Sequence, residues 1–222
     1  MHMRNRGFTL IEIAIVLVII GLLLGGILKG QELINSAKVK NLAADFKGIP
    51  VFIYGYQDKF KALPGDDAAA ATHMNGATNA TTGGTVGNGM IEGAWNSNTT
   101  TEESYLFWQH VRLAGLAPGS TTIGGADYVP RNADGGRIGI QSSTGFTTIT
   151  QNAAGAAAPM TGSYIICSDA ILGKFVKQLD TTMDNGDTDT GSMRVADPAN
   201  AGRSIATANV TDGQAYTVCM GF

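Results

Sequence analysis

The sequence predicts an α+β protein in which one long N-terminal helix packs against a head that contains an antiparallel sheet. The first observation is an apolar run over residues 8–28, whose only charged residue is Glu12. The second is an apolar stripe at helical spacing that continues behind this run. The third is a set of short strand-like segments towards the C-terminus. Helical sequence that precedes strand-rich sequence, instead of alternating with it, is typical of the α+β class.

The apolar run is long enough to cross a membrane. Its 21 residues would form a helix of about 31 Å, which matches the hydrocarbon core of a bilayer. A carboxylate in such a segment is costly, so Glu12 is a functional residue by hypothesis. The alternative is a signal anchor that tolerates Glu12. The run is too long for the apolar region of an ordinary signal peptide, and no Ala-x-Ala cleavage site follows it.

The helical pattern continues after the apolar run. Six apolar residues repeat at intervals of three and four, which is the spacing of a helix that buries one face. They are Leu42, Phe46, Ile49, Ile53, Tyr56 and Phe60. We therefore expect one helix from about Phe8 to about Lys59, apolar all round at first and amphipathic later. Pro50 should kink this helix, because proline removes a backbone hydrogen bond and crowds the carbonyl four residues back.

The head begins with a turn at residues 63–66 and a Thr-, Asn- and Gly-rich loop over 72–100. A short amphipathic helix is predicted over 102–114, where apolar residues recur at helical spacing. Ser168 or Asp169 is predicted to cap a further helix that carries apolar residues up to Leu179. The predicted strands cover residues 137–141, 146–150, 193–196 and 215–220.

Two cysteines, Cys167 and Cys219, suit the oxidising side of a membrane, and no C-x-x-C or His-rich pattern suggests a metal or redox site. A bridge between them would close a loop of about 50 residues and stabilise the head by roughly 4 kcal/mol on the chain-entropy model. The alternative is a pair of buried thiols.

An acidic segment near the C-terminus alternates oxygen-bearing side chains at Asn185, Asp187 and Asp189, with Asp184 alongside. Alternating oxygen ligands in a glycine-containing loop resemble the first half of an EF-hand loop, although the bidentate glutamate at its twelfth position is missing here. The segment is therefore either a calcium site or a solvated acidic turn.

The sequence predicts no enzyme. The three histidines lie far apart in the chain, and neither a Gly-x-Ser-x-Gly elbow nor a phosphate-binding glycine loop is present. The formal net charge of −3, without clustered Lys and Arg, argues against a broad nucleic-acid surface. An enzyme tethered by the N-terminal helix is the alternative.

The N-terminus has a short basic leader that ends in Gly7, followed by Phe8 and then by Glu12 inside the apolar run. This pattern resembles the class III signal of type IV pilins and of the pseudopilins of type II secretion systems. The resemblance implies that a prepilin peptidase cuts between Gly7 and Phe8 and N-methylates the new amine. It also implies that Glu12 neutralises the Phe8 amine of a neighbouring subunit during assembly.

The same resemblance implies a pilin-like organisation: a leader over residues 1–7, a transmembrane and filament-core helix over 8–30, and a head over 31–222 that includes the lower half of the helix. The implied partners are further copies in a helical homopolymer, the peptidase, the inner-membrane assembly platform, minor pilins and, before assembly, membrane lipid. The N-terminus would face the cytoplasm, and the filament would be periplasmic or extracellular. Pilins often carry a C-terminal disulfide, and major pseudopilins bind calcium in a C-terminal loop.

Three functions follow. The first is a structural subunit of a pilus-like or pseudopilus filament. The second is a minor tip pilin that binds a surface, a secreted substrate or DNA, and the third is the tethered enzyme. Glu12 favours the first, because tip pseudopilins often lack this glutamate. The motifs LPGD at 63–66, LAGL at 113–116 and DNGDTDTGS at 184–192 resemble those of Gram-negative prepilin-like proteins.

Overall fold

The computed structural model describes residues 9–222, so the predicted processing site at Gly7 and Phe8 lies outside the described residues. The helices are α1 (Leu10–Phe60), α2 (Ala70–His73), α3 (Glu103–Leu113) and α4 (Gly173–Met183), with a 3₁₀ turn at Thr207–Asn209. The strands are β1 (Ile138–Ser142), β2 (Ile149–Gln151), β3 (Tyr164–Leu172), β4 (Met193–Val195), β5 (Gly202–Arg203) and β6 (Ala215–Gly221). The chain divides into two compact units, one ending at Lys38 and the other spanning Val39–Phe222.

Helix α1 confirms the predicted long N-terminal helix, and it contains 51 residues with Pro50 inside it. The kink expected at Pro50 stays a prediction. In the second unit this helix buries one face, formed by Val39, Leu42, Ala43, Phe46, Ile49, Pro50, Ile53 and Tyr56. These residues include the predicted stripe apart from Phe60, which is half-buried. The apolar face packs against the head because burying it removes a continuous strip of hydrocarbon from water.

The main sheet is antiparallel, with the strand order β1-β3-β6-β4. The strands predicted near residues 193–196 and 215–220 are both present, as β4 and β6. The strand expected at 146–150 is shorter and lies at Ile149–Gln151, where it pairs in parallel with β5 as a separate two-stranded sheet. One long helix followed by an antiparallel sheet is the α+β, pilin-like layout that the sequence predicted.

The helix cap predicted at Ser168 or Asp169 is wrong. Both residues belong to β3, and α4 begins only after this strand, without a side-chain cap. Their side chains bond elsewhere instead: Ser168 Oγ accepts Asn132 Nδ2 from the loop before β1 at 2.8 Å, and Asp169 Oδ1 accepts the Thr217 hydroxyl of β6 at 2.8 Å. A bulge at Ala170, which has a φ of 56°, shifts the register at this point.

Helix α3 confirms the helix predicted over 102–114, but it is not amphipathic in its surroundings. Its residues from Glu103 to Arg112 are all buried, including the polar side chains of Gln109 and His110. Loops cover its polar side and supply hydrogen-bond partners, because buried polar groups without partners would be costly. The head therefore carries a helix that is buried all round.

Both faces of the main sheet are covered. The larger core joins α1, α3 and α4 to the face that carries Ile166. Because side chains alternate along a strand, the neighbouring Ile165 and Cys167 point to the opposite face. There they form a second cluster with Trp95, Phe146, Ile149, Met160 and Cys219.

Both edge strands of the main sheet bond to loop backbone. At β1 the Ser142 N–H donates to the Ile91 carbonyl at 2.8 Å. At β4 the Val195 N–H donates to Thr188 at 3.0 Å, and the Val195 carbonyl accepts the Ile205 N–H at 2.9 Å. The hydrogen-bonding groups of both edges are thus partly used within the chain.

Candidate functional site

The first described residues form a reciprocal cap at the start of α1. Glu12 Oε2 accepts the Thr9 N–H at 2.8 Å and the Thr9 hydroxyl at 2.7 Å, while Thr9 Oγ1 accepts the Glu12 N–H at 3.3 Å. This is the capping box of a Thr-x-x-Glu sequence, which satisfies otherwise unpaired N–H groups of the first turn. The pattern at residues 9–12 was readable in the sequence, but Thr9 was not predicted to act on Glu12.

The apolar part of α1 exposes its side chains along its length. Leu10 is 89% exposed and Leu22 is 74% exposed, and none of the most apolar window is buried. Among residues 9–222, this is the one helix long and apolar enough to span a membrane. A signal sequence can have the same length and composition. The position of Glu12 inside the apolar run is therefore what distinguishes this helix from an ordinary signal sequence.

The predicted disulfide is present. Tyr164 and Phe222 exchange backbone hydrogen bonds, and successive pairs of β3 and β6 then alternate between bonded and non-bonded pairs. Cys167 and Cys219 fall on a non-bonded pair, with Cα atoms 4.1 Å apart, and their sulfurs are bonded. Both cysteines are fully buried among the apolar residues of the second cluster.

The predicted calcium ligands lie in the loop between α4 and β4, and each of them already accepts a hydrogen bond from a backbone N–H group. Asn185 Oδ1 accepts the Asp187 N–H at 2.8 Å, and Asp187 Oδ1 accepts the Asp189 N–H at 3.2 Å, which makes two successive Asx turns. Asp184 and Asp189 accept N–H groups from outside the loop, at 2.9 and 2.7 Å. Over residues 9–222, no three His, Cys, Asp or Glu side chains are grouped as metal ligands. Calcium binding stays a prediction.

Asp180, a fourth acid that the sequence did not single out, lies beside this loop. Asp180 is fully buried on α4, and its Oδ1 accepts the Gly186 N–H at 2.7 Å. Its Oδ2 has no hydrogen-bond partner among the described residues. Burial raises the pKa of the Asp180 carboxyl to about 6; the Gly186 bond opposes this rise, and the charges of Asp184 and Asp187 add to it.

The LPGD turn after α1 is fixed by a buried histidine. Gly65 has a φ of +93°, and a side chain there would place Cβ only 2.4 Å from the Glu103 carbonyl oxygen. Its N–H donates to His110 Nδ1 at 2.9 Å, so the opposite nitrogen, Nε2, carries the proton and donates to the Thr78 carbonyl at 2.9 Å. Burial lowers the pKa of His110, which keeps the ring neutral.

Asp67 ties the same turn to the end of α1. Its carboxylate accepts the Tyr56 hydroxyl at 2.7 Å and the Ala69 N–H at 2.9 Å, and it lies 2.7 Å from His73 Nδ1. Burial by itself would raise the pKa of Asp67, but the bonds from Tyr56 and His73 hold it below its ordinary value. The arrangement ties the loop after α1 to the helix itself.

Asp66 and Glu103 are two buried acids that meet behind this turn. Asp66 accepts the backbone N–H groups of residues 87, 88 and 89. Glu103 Oε2 accepts the Glu92 N–H at 2.7 Å, and Glu103 Oε1 has no partner in the described chain. Burial raises the pKa of Glu103 to about 7; the Glu92 N–H bond opposes this rise, and the nearby charges of Asp66 and Glu92 add to it.

Comparison with known protein families gives a match at the N-terminus. Residues 2–28 match the family described as the prokaryotic N-terminal methylation motif. The N-terminus is a class III signal peptide. Type IV pilins and pseudopilins carry this signal, which marks the chain as a pilin- or pseudopilin-type substrate of prepilin peptidase. The motif and the long apolar helix are consistent with membrane anchoring before assembly. No curated protein and no solved structure matches the chain significantly.

Proposed function

We propose that this chain is a structural subunit of a type IV pilus-like or type II secretion pseudopilus filament. The observation that carries the proposal is Glu12 at the start of an exposed apolar helix, inside the N-terminal methylation motif. A carboxylate in that position needs a cationic partner once the helix is buried in a filament core. The amine of a neighbouring Phe8, exposed by cleavage after Gly7, is such a partner.

Assembly then proceeds from the membrane. Prepilin peptidase removes residues 1–7 and methylates Phe8, while residues 8–30 hold the chain in the inner membrane with its N-terminus in the cytoplasm. The head over 31–222 lies on the opposite side. The assembly platform extracts the subunit into a helical homopolymer, alongside minor pilins, and the chain has no catalytic role and no nucleic-acid partner in this proposal.

The capping box gives Glu12 a partner before assembly. In the single chain, the Thr9 N–H and hydroxyl satisfy one oxygen of the carboxylate. Hydrogen bonds from neutral donors are weaker than bonds to a charged amine. Glu12 therefore exchanges its own helix cap for the Phe8 amine of the next subunit when the filament forms.

We also propose calcium as a ligand of the loop that contains Asp184, Asn185, Asp187 and Asp189. The support is Asp180, a fully buried carboxyl beside this loop, one of whose oxygens has no hydrogen-bond partner in the described part of the chain. Carboxylate and amide oxygens are the ligands that calcium prefers. Binding would replace the Asx-turn hydrogen bonds at Asn185 and Asp187, so the loop must rearrange around the ion.

Isolation of filaments from the native bacterium tests the main proposal. Mass spectrometry of sheared filaments should identify this chain as the repeating subunit, beginning with N-methyl-Phe8. Gly7→Leu should block cleavage and remove the chain from the filaments. Immunogold labelling should decorate the filament along its length, and labelling confined to filament ends would favour the minor tip pilin. An intact leader on assembled protein would refute processing at Gly7.

A further inference from the structure

Asp45 is an acid of α1 whose half-buried side chain has no hydrogen-bond or ion-pair partner within residues 9–222. It lies at the border of the buried face, next to Phe46 and Ile49, where water only partly reaches its carboxylate. Burial raises the pKa of Asp45 to about 6, and no hydrogen bond or nearby charge of the described residues contributes to it. A carboxylate that loses water without gaining a donor is destabilising, so a cationic ligand would be favoured there.

Asp45 lines a cleft of about 240 Å³ between α1 and α3. Phe52 and Trp108 form apolar walls of the cleft, and Arg112 and Arg131 also line it. Both arginines bond to backbone carbonyl oxygens, Arg112 to that of Ser120 at 2.8 Å and Arg131 to that of residue 135 at 2.9 Å. Neither arginine shifts the pKa of Asp45, so they do not already neutralise its carboxylate. Apolar walls beside such an acid suit a lysine, whose aliphatic stem packs on hydrocarbon while its amine remains paired.

The other side of the same helix carries the complementary features. Lys47, Val51 and Tyr54 follow the spacing i, i+4 and i+7, so they share one side of α1. Val51 is 64% exposed and Tyr54 is 63% exposed, and the exposed Lys47 has no ion-pair partner in the described part of the chain. At 3.6 residues per turn, Lys47 and Asp45 point about 160° apart.

We propose that the Asp45 cleft receives Lys47 from a second copy of this chain, whose Val51 and Tyr54 cover the apolar rim. Two complementary patches on different sides of one molecule make a heterologous contact, and such a contact repeats without closing when it generates a filament. The contact rests on the proposed filament function. It lies in the head and is independent of the pairing between Glu12 and Phe8.

Charge reversal in the full-length chain, expressed in its own bacterium, tests this contact. Asp45→Lys and Lys47→Asp should each lower the yield of sheared filaments by about tenfold or more, because each places like charges together. The double variant, which swaps the charges, should restore most of the yield. Asp212→Lys is the matched control, since the Asp212 side chain is 73% exposed in the loop before β6, where it lies 3.5 Å from Lys177, and its reversal should leave filaments unchanged.

Equal membrane levels and an intact Cys167–Cys219 bridge show that a variant has folded. If Asp45→Lys does not accumulate, the filament yield of Lys47→Asp is compared with that of Lys47→Asp combined with Asp45→Asn. The combined variant should give the higher yield, because the asparagine removes the facing like charge. Normal filament yield from the single variants, or no recovery in the charge swap, overturns the contact while the filament function stands. Absence of filaments from the unmodified chain refutes the filament function itself.

Discussion

Thr9 and Glu12 are hydrogen-bonded to each other at the start of α1, with the threonine hydroxyl 2.7 Å from Glu12 Oε2. The glutamate therefore has two separable properties in this chain: it caps its own helix, and it carries a negative charge. Glutamine keeps the first property, because it also serves at the third helical position of a capping box. Only glutamate carries the negative charge.

Glu12→Ala should give cleaved, membrane-resident protein and few or no filaments. The apolar run inserts without Glu12, but loss of one member of a buried pair costs about 3–5 kcal/mol at each subunit. Glu12→Gln should fail in the same way, although it keeps the cap. Electron microscopy and quantification of sheared filaments measure the outcome.

Thr9→Ala is the matched control for these variants, because it removes the cap and keeps the charge. It should assemble. Filaments from Glu12→Gln at the normal yield would show that the cap, and not the charge, is what assembly requires.

Loss of the disulfide should destabilise the head. The bridge closes a loop across a sequence separation of 52 residues, and the chain-entropy model gives about 4 kcal/mol for a loop of that size. Full-length protein in detergent with Cys167→Ala and Cys219→Ala should unfold at lower denaturant concentration. A reductant should lower the midpoint of the unmodified protein and leave that of the double variant unchanged. Free alkylation of both thiols without reduction would contradict the bridge.

The stability of the head should fall as pH rises from about 4.5 to about 7. Glu103 has a raised pKa of about 7 in the fold, against 4.5 in the unfolded chain. The folded state therefore favours the protonated carboxyl, and ionisation weakens it by about 3 kcal/mol once the pH exceeds the folded pKa.

Glu103→Gln mimics the protonated carboxyl, so it should stabilise the head at pH 8 and have little effect at pH 4. Denaturant unfolding at the two pH values measures this difference. His110 acts in the opposite direction, because its lowered pKa makes the fold lose stability as pH falls below 6.5. The comparison between the two proteins at each pH removes that shared effect. An unchanged difference between pH 4 and pH 8 would contradict ionisation of Glu103 as the cause.

Calcium should raise the melting temperature of the full-length protein if the acidic loop binds it. Asp187→Ala and Asp180→Asn should each remove most of that increase, because the first removes a loop ligand and the second the buried charge beneath it. Asp212→Ala is the control on an exposed acid outside the loop. Equal melting in calcium and in chelator would identify the loop as a turn held by its own hydrogen bonds.

The sequence predicted those parts of the fold that depend on local pattern. Helix α1 follows from the length of the apolar run and the stripe through Phe46 and Ile53, and β4 and β6 follow from short apolar segments. The bridge followed from the redox environment of two cysteines, although their direct opposition across β3 and β6 was visible only in the structure.

The failures have one physical origin, which is partners that are distant in sequence. Ser168 is of a residue type that often caps helices. Its side chain instead bonds to Asn132, 36 residues away in sequence, and β3 continues past it. Gln109 and His110 look like the polar side of an amphipathic helix because the loops that cover them are 31–45 residues away. Asp180 was overlooked because its burial depends on how α4 packs.

The partly paired edges of the main sheet have a consequence for the proposed function, in which many subunits share one membrane. At high density, open strand edges would pair with each other and produce aggregates. Here the loops that carry Ile91 and Ile205 bond to β1 and β4 within each chain. Fewer edge groups are then free to pair with another head. In the proposed filament this favours contacts through side chains, whose charge and shape discriminate between orientations.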